Sequence, residues 1–326
     1  MSPGAFLRRP AVRVTCALAA TAVLGVTVWA SGAGAVLDRL GASAHALPAL
    51  ALLEAAMVAC STLALRALYG PAAATVSLRQ WLRVGAAGYA VGLVLPMGRG
   101  SGEAARAVLL SRDTSGPRAA VAAVQMQGVV LLSTAVFVLP VLAATLLLLG
   151  PGLVAALVLG NGAVAGVVGA SILLVRARAR PGRLLGGLVQ RFRRFGAAFD
   201  DAAGASRAEL LRSLAWETLG RVAQAVQCGV ALAALGHPAE LVRVLVIRGL
   251  LMVGSALGDV LPGQLGATEA TLALGADAVQ LTAASAASLA LLVHGAQILL
   301  GLACTAVAFG LPWRQAAAPE GAELTP

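Results

Sequence analysis

Runs of about 20 apolar residues recur along this chain, and a helix of that length crosses the ~30 Å hydrocarbon core of a bilayer. Candidate spans fall at 11–30, 46–69, 117–149, 152–175, 208–235 and 280–311. Within lipid, backbone N–H and C=O groups must be satisfied by helices or a closed barrel. The short alternating segments of a barrel are missing here, so the expected fold class is all-α, a polytopic membrane protein. Composition agrees: of 326 residues 59% are hydrophobic and 12% charged, against about a quarter charged in soluble domains. The span 11–30 is expected to stay as an uncleaved first crossing, although "SGAGA" after it imitates a cleavage site. Pro140 is expected to kink or end the third span.

The net charge is +10, and all 24 basic residues are arginine. They sit between the apolar runs, which argues for topology signals and anionic-lipid contacts rather than nucleic-acid binding. The densest cluster, 176–207, reads as a cytoplasmic segment. There Leu184, Leu188, Phe192, Phe195 and Phe199 share one helical face, as in a helix lying on the inner leaflet. Arg8, Arg9 and Arg13 also place the N-terminus in the cytoplasm. Cys16, Cys60, Cys228 and Cys304 each lie in an apolar run without C-x-x-C spacing, so neither disulfides nor a metal site is expected. Trp29, Trp81, Trp216 and Trp313 fall near span ends, as in an interfacial belt.

Two further apolar stretches, 80–95 and 241–261, end at proline–glycine breaks, and each is followed by a short helix, at 102–112 and 268–277. The breaks read "GLVLPMGRGSGEA" (92–104) and "GDVLPGQLGATEA" (258–270). At an offset of 166 they share G-x-V-L-P-x-x-x-G-x-x-E-A without a gap, and Gly88 meets Gly254 upstream. The flanking spans obey the same offset. The unit of span, broken pair and span thus occurs twice, about 42–149 and 208–311, joined by span 152–175 and the basic segment 176–207. All of this forms one transmembrane domain, 1–315, before a tail at 316–326 that is expected to be disordered. If each broken pair enters and returns on one side, the N-terminus and the basic loop are both cytoplasmic. The second copy is then inverted, and the hairpins dip in from opposite faces.

Inverted repeats with interrupted helices place transporter sites near the bilayer midplane. A helix that starts inside the membrane presents unpaired N–H groups and a positive dipole end, which suits an anion. The candidate binding residues are Pro96, Arg99, Gly100, Glu103 and Arg106 at the first break, and Pro262, Gln264, Gly266 and Glu269 at the second. Glu103 and Glu269 read either as favourable charges in a first helical turn or as functional groups, each a proton-linked carboxylate or a lure for a cationic headgroup. Arg99 and Arg106 pair internally or grip a phosphate; Leu265 and Leu272 stand at their counterparts. The pairs Gly88/Gly92 and Gly254/Gly258 read first as packing faces, as does "GNGAVAG" at 160–166. Asp259 and Arg248 are candidates to pair. His294 reads as a core histidine or a relay, with Gln297 beside it; Gln125 and Gln127 are polar glue or cavity lining.

The stretches "LPMGRGSGEAARAVLL" and "LPGQLGATEA", with their flanking spans over about 10–311, resemble the transmembrane region of bacterial lysylphosphatidylglycerol synthases, the flippase-like membrane family. In the span after the first break, "QMQGVVLL" stands where the family's charged E-R…D stretch is expected. The resemblance implies movement of a phospholipid or isoprenoid-linked lipid between leaflets, with membrane lipids of anionic headgroup as partners and no cofactor. It leaves no room for the synthases' aminoacyltransferase domain, so no enzyme is expected. An ion-coupled carrier of a small solute and a non-transporting partner of an envelope-lipid enzyme stay open, as does a homo-oligomer.

Overall fold

A computed structural model describes residues 10–95, 98–178, 193–202, 204–259 and 261–310. Pro96, the tail 316–326, Trp313 and Leu184, Leu188 and Phe192 of the expected amphipathic helix lie outside them, as do the side chains of Arg99, Phe195 and Pro262. The described residues include twelve α-helices, and no strand occurs among them. They are α1 Pro10–Ala30, α2 Ala33–Ser43, α3 Leu47–Tyr69, α4 Leu78–Val94, α5 Gly98–Leu110 and α6 Gly116–Leu149. After them come α7 Leu153–Arg178, α8 Arg193–Asp201, α9 Arg207–Ala234, α10 Leu241–Leu257, α11 Ala267–Leu274 and α12 Ala283–Gly310.

Several helix starts follow from short polar side chains that accept the otherwise unpaired first-turn N–H groups. Ser77 Oγ accepts from Gln80 N–H and Ser115 Oγ from Arg118 N–H. At α9 the arrangement is reciprocal: Ser206 Oγ accepts from Glu209 N–H at 3.3 Å, and Glu209 Oε2 accepts from Ser206 N–H at 2.6 Å. Ser206→Ala is expected to cost about 1 kcal/mol, read as a melting temperature about 2–4 °C lower in detergent. An unchanged melt would show that the cap contributes nothing.

The segments Ala33–Thr75, Gly116–Leu149, Leu153–Val175 and Ala283–Gly310 are long and apolar enough to cross a membrane. Pro140 lies inside α6 and does not end it; the helix has 34 residues, about 51 Å at 1.5 Å per residue. The helix α9 is absent from that group because it carries charges, and two of those, in its middle, are turned inward. Glu217, Arg221 and Gln227 are all buried, on the helix that packs most extensively against α3. Trp81 departs from the expected belt. It is buried, edge-on to Tyr69 at 5.5 Å, and its indole N–H donates to the Ala73 carbonyl. Trp29, by contrast, is exposed.

Each proline break folds the chain back on itself. A Cβ on Gly88 would collide with the Arg106 side chain, and one on Gly92 would lie 2.7 Å from the Gly98 carbonyl oxygen. That pairing of early α4 with late α5 is antiparallel. In the second hairpin a Cβ on Gly254 would lie 2.9 Å from Thr268 Cα, and one on Gly258 would lie 2.7 Å from Ala267 Cβ. The glycines are what let the limbs approach so closely. The segment "GRGSG" is not a turn: α5 begins at Gly98 and takes it in.

The two copies pack reciprocally. The first spans, α3 and α9, pack on each other; α4 rests on α12, and α10 rests on α6. Each short helix packs on the last span of its own copy, α5 on α6 and α11 on α12. Every one of these contacts thus has its counterpart in the other copy. The helix α7 lies outside on α6, where Gly162 faces Val138 and Gly169 comes against the Gly128 backbone. Polar ties fasten the two ends of the bundle. The Ala308 carbonyl, near the end of α12, accepts from Arg83 Nε–H at 3.0 Å at the start of α4, and Arg118 ties the start of α6 to the Tyr69 carbonyl. The first turn of α12 meets the opposite group: Ser285 Oγ and His237 Nε2 lie 3.2 Å apart, and Arg243 donates to the Val279 and Gln280 carbonyls.

Candidate functional site

The two breaks meet. A Cβ on Gly263 would lie 3.4 Å from the Leu93 carbonyl oxygen, so the tip of one hairpin touches the tip of the other. Beside this contact a cavity of ≈ 230 Å³ opens between α3, α4, α5, α6, α9 and α10. Three carboxylates (Glu54, Glu103, Glu217) and three guanidinium groups (Arg106, Arg221, Arg248) line it, and all six residues are buried. Ionisable groups at such a place in a membrane bundle are costly and mark function.

On α5, Arg106 Nη1–H donates to Glu103 Oε1 at 2.8 Å and to Ser61 Oγ of α3 at 3.1 Å. One helical turn separates the pair, and Gly88 makes room for the arginine stem. From α3, Glu54 accepts from the Tyr89 hydroxyl at 3.0 Å and from Gln227 Nε2–H at 3.1 Å. Arg221 of α9 donates to Thr134 Oγ1 at 2.8 Å, and Arg248 of α10 donates to Gln224 Oε1. Where "QMQGVVLL" lacks the expected charges, α9 thus brings Glu217 and Arg221 against the neighbouring stretch of α6. Gln127 lines the cavity, whereas Gln125 accepts from the Ala205 N–H and ties down the segment before α9. Among the described residues that line this space, buried atoms without a hydrogen-bond partner include Glu103 Oε2, Glu217 Oε1 and Arg106 Nε. Two unfilled acceptors and one unfilled donor invite a ligand that carries both kinds of group.

The second break is built differently. Glu269 is wholly buried at the third position of α11, where its Oε2 accepts from the Gly266 N–H at 2.8 Å and the Thr268 hydroxyl at 3.0 Å. Its Oε1 contacts His294 Nδ1 of α12, and His294 Nε2–H donates to the Gly263 carbonyl at 3.1 Å. Glu269 is therefore a first-turn carboxylate, as its spacing suggests. Glu103 is not, because α5 starts earlier than the spacing predicts and leaves its first turn without an acidic residue. Of the sequence candidates, Glu103, Arg106 and Gln264 come together in the cavity. Gly266 and Glu269 stand outside its lining, beside His294, and Gly100 is exposed with open space where a side chain would go.

A second cavity, ≈ 250 Å³, lies against the first and shares Leu93 and Gly263 with it. Its lining is mainly apolar, with Leu265, Ile298 and Leu302 beside His294. Val94 and Leu302 on its rim are 69% and 66% exposed, so this trough faces outward from the bundle.

Sequence reasoning misses Glu54, Glu217 and Arg221 and the Tyr89 hydroxyl. The available signal is the rarity of an ionisable residue within an apolar run: Glu54 in span 46–69, and Glu217 and Arg221 four apart in span 208–235.

No curated protein and no solved structure matches the chain. The family model for the lysylphosphatidylglycerol synthase TM region matches residues 14–304. With four helices long and apolar enough to span and a match over most of its length, this chain is a multi-pass membrane protein that belongs to the lysylphosphatidylglycerol synthase transmembrane-region family.

Proposed function

We propose that this chain moves a phospholipid or isoprenoid-linked lipid between the leaflets of the bacterial cytoplasmic membrane, and does so as a transporter rather than an enzyme. One observation carries the reading: a charged cavity and an outward-facing apolar trough share a wall at Leu93 and Gly263. A lipid needs both, a wet place for its headgroup and an oily one for its chains. The apolar trough favours lipid over a small soluble solute, and the buried, unfilled polar atoms favour a transporter over a passive scaffold. Arg106 Nε–H suits a phosphate oxygen, while Glu103 Oε2 and Glu217 Oε1 suit the donors of a headgroup amine or hydroxyl.

The reciprocal packing of the copies supports an inverted repeat with two re-entrant hairpins. Arg83 fastens the first hairpin to the last turn of α12, and Arg243 ties the second to the segment just before α12. On this reading the hairpins enter from opposite faces and enclose one site, exposed alternately to each side. The N-terminus and the basic loop then lie in the cytoplasm.

Proteoliposomes with fluorescent phospholipids and a leaflet-selective quencher test the proposal. The wild type is expected to move lipid, and Ile298→Trp, which fills the trough, to slow it about tenfold, a loss of ~1.4 kcal/mol in a crowded groove. Binding of a soluble glycerophosphate headgroup should be unchanged in that variant. Wild-type liposomes that move no lipid, or lipid movement indifferent to the filled trough, would overturn the reading.

A further inference from the structure

We infer that Glu269 and His294 form a proton-binding site whose occupancy controls the wall between the polar cavity and the apolar trough. The proton follows from local geometry alone; its link to transport rests on the function proposed above.

Hydrogen-bond accounting gives the first step. The Gly263 carbonyl oxygen only accepts, so His294 Nε2, 3.1 Å away, carries a hydrogen. Nδ1 of the same ring faces Glu269 Oε1. A bare Nδ1 against a carboxylate oxygen would set two acceptors in contact, so a second proton lies between them. Written as carboxylate and imidazolium, or as carboxylic acid and imidazole, the pair is neutral and holds one proton more than a carboxylate beside a neutral ring. Glu269 cannot swing away to avoid this, because the Gly266 N–H and the Thr268 hydroxyl hold its other oxygen.

Removing that proton breaks one of the two histidine bonds. Either Nδ1 is left facing the carboxylate as a second acceptor, or the remaining hydrogen moves to Nδ1 and the Gly263 carbonyl loses its donor. The glycine concerned belongs to both cavities and touches Leu93 across the hairpin tips. The carboxylate repels a bare Nδ1 and so favours the second arrangement: the protonated pair pins the shared wall, and the deprotonated pair, its hydrogen drawn to Nδ1, frees it. One proton, taken up from one aqueous face and released to the other, would time the opening.

The two copies are unequal in this respect. Glu103, the counterpart of Glu269, pairs with Arg106, and a guanidinium keeps its protons throughout the working pH range. Leu272 occupies the counterpart of Arg106, and Gly128 that of His294. Among the described residues, the glutamate of the second hairpin contacts an imidazole and that of the first a guanidinium. Around the pair, α3 presents Glu54, whose charge acts on His294, and α4 presents Tyr89, bonded to Glu54. Arg248 of α10 acts on the same Glu54, and α12 adds Cys304. The other helices packed here carry Asp38 and Arg39 (α2), and Glu217, Arg221 and Cys228 (α9).

The chain has 3 histidines, so the full-length His45→Gln/His237→Gln variant leaves His294 as the single imidazole for nitrogen NMR. Both ring nitrogens are expected to bear hydrogen in the wild type. Glu269→Gln should leave Nδ1 without its hydrogen under the same conditions, and Glu269→Asp, which keeps the charge, should retain it. In liposomes, a pH difference should speed wild-type translocation about tenfold, equivalent to ~1.4 kcal/mol, and leave Glu269→Gln and His294→Gln indifferent to it. A wild-type His294 ring that holds a single hydrogen from about pH 5 to 9, or one whose hydrogens are the same in Glu269→Gln, would overturn the proton site. Lipid moved at one rate with and without the gradient would overturn the coupling while leaving lipid transport intact. If no lipid moves at all, the transport reading fails, and the NMR titration alone decides the proton site.

Discussion

Arg106→Leu is expected to destabilise the fold by about 3–5 kcal/mol, because it strands the Glu103 carboxylate in a buried site without its cation. The pair is buried on both sides, at a distance of 2.8 Å, and Ser61 shares the same guanidinium nitrogen. Loss of folded, monodisperse protein in detergent and a steep fall in melting temperature are the readouts. The double variant Glu103→Gln/Arg106→Leu removes the stranded charge and should recover most of the stability, since breaking a buried pair costs far more than replacing it whole. Lipid translocation should stay lost in the double variant, with the phosphate donor gone. Equal stability of single and double variants would mean that Glu103 does not depend on Arg106.

Gly92→Leu should separate the first hairpin's limbs and abolish transport while costing about 3 kcal/mol or more, at or above the usual range for overpacking. A Cβ there meets the Gly98 carbonyl oxygen at 2.7 Å, with Gly102 Cα close behind. Both obstacles are backbone and cannot rotate aside. Moving α5 would carry Glu103 and Arg106 away from the cavity and shift Leu93 off Gly263. Gly100→Ala, eight residues along the same hairpin, is the contrast. Its site is exposed and open, so the change should be neutral or stabilising by up to about 1 kcal/mol. Melting curves and the liposome assay on the two variants separate a packing effect from a general intolerance of the hairpin. Similar behaviour in both would refute the close backbone approach.

How much of this could be read from sequence depends on distance along the chain. The spans and hairpins are local, and their pattern of glycine, proline and glutamate survives as spacing at offset 166. Glu54 is legible as a charge in the wrong place, yet its partners Tyr89 and Gln227 lie on other helices. His294 is visible as a polar residue in an apolar span, but its contact with Glu269 exists only once α11 packs on α12. The start of α5 is misjudged because glycines look like a turn when their neighbours in space are unknown. Here two of the three missing side chains, at Gly98 and Gly102, mark places where another backbone passes. Trp81 misleads for a similar reason: a tryptophan near a span end is as useful to the core, edge-on to Tyr69, as to the interface.

The exchange by which α4 leans on α12 and α10 on α6 bears on how the chain is made. Neither half owns the surface that its broken helices need. During synthesis the first hairpin emerges long before α12 exists, and it must wait, its glycine seam and buried charges unprotected, until the last helix leaves the ribosome. A truncated first half should be cleared by quality-control proteases, and two halves made separately in one cell should rescue each other.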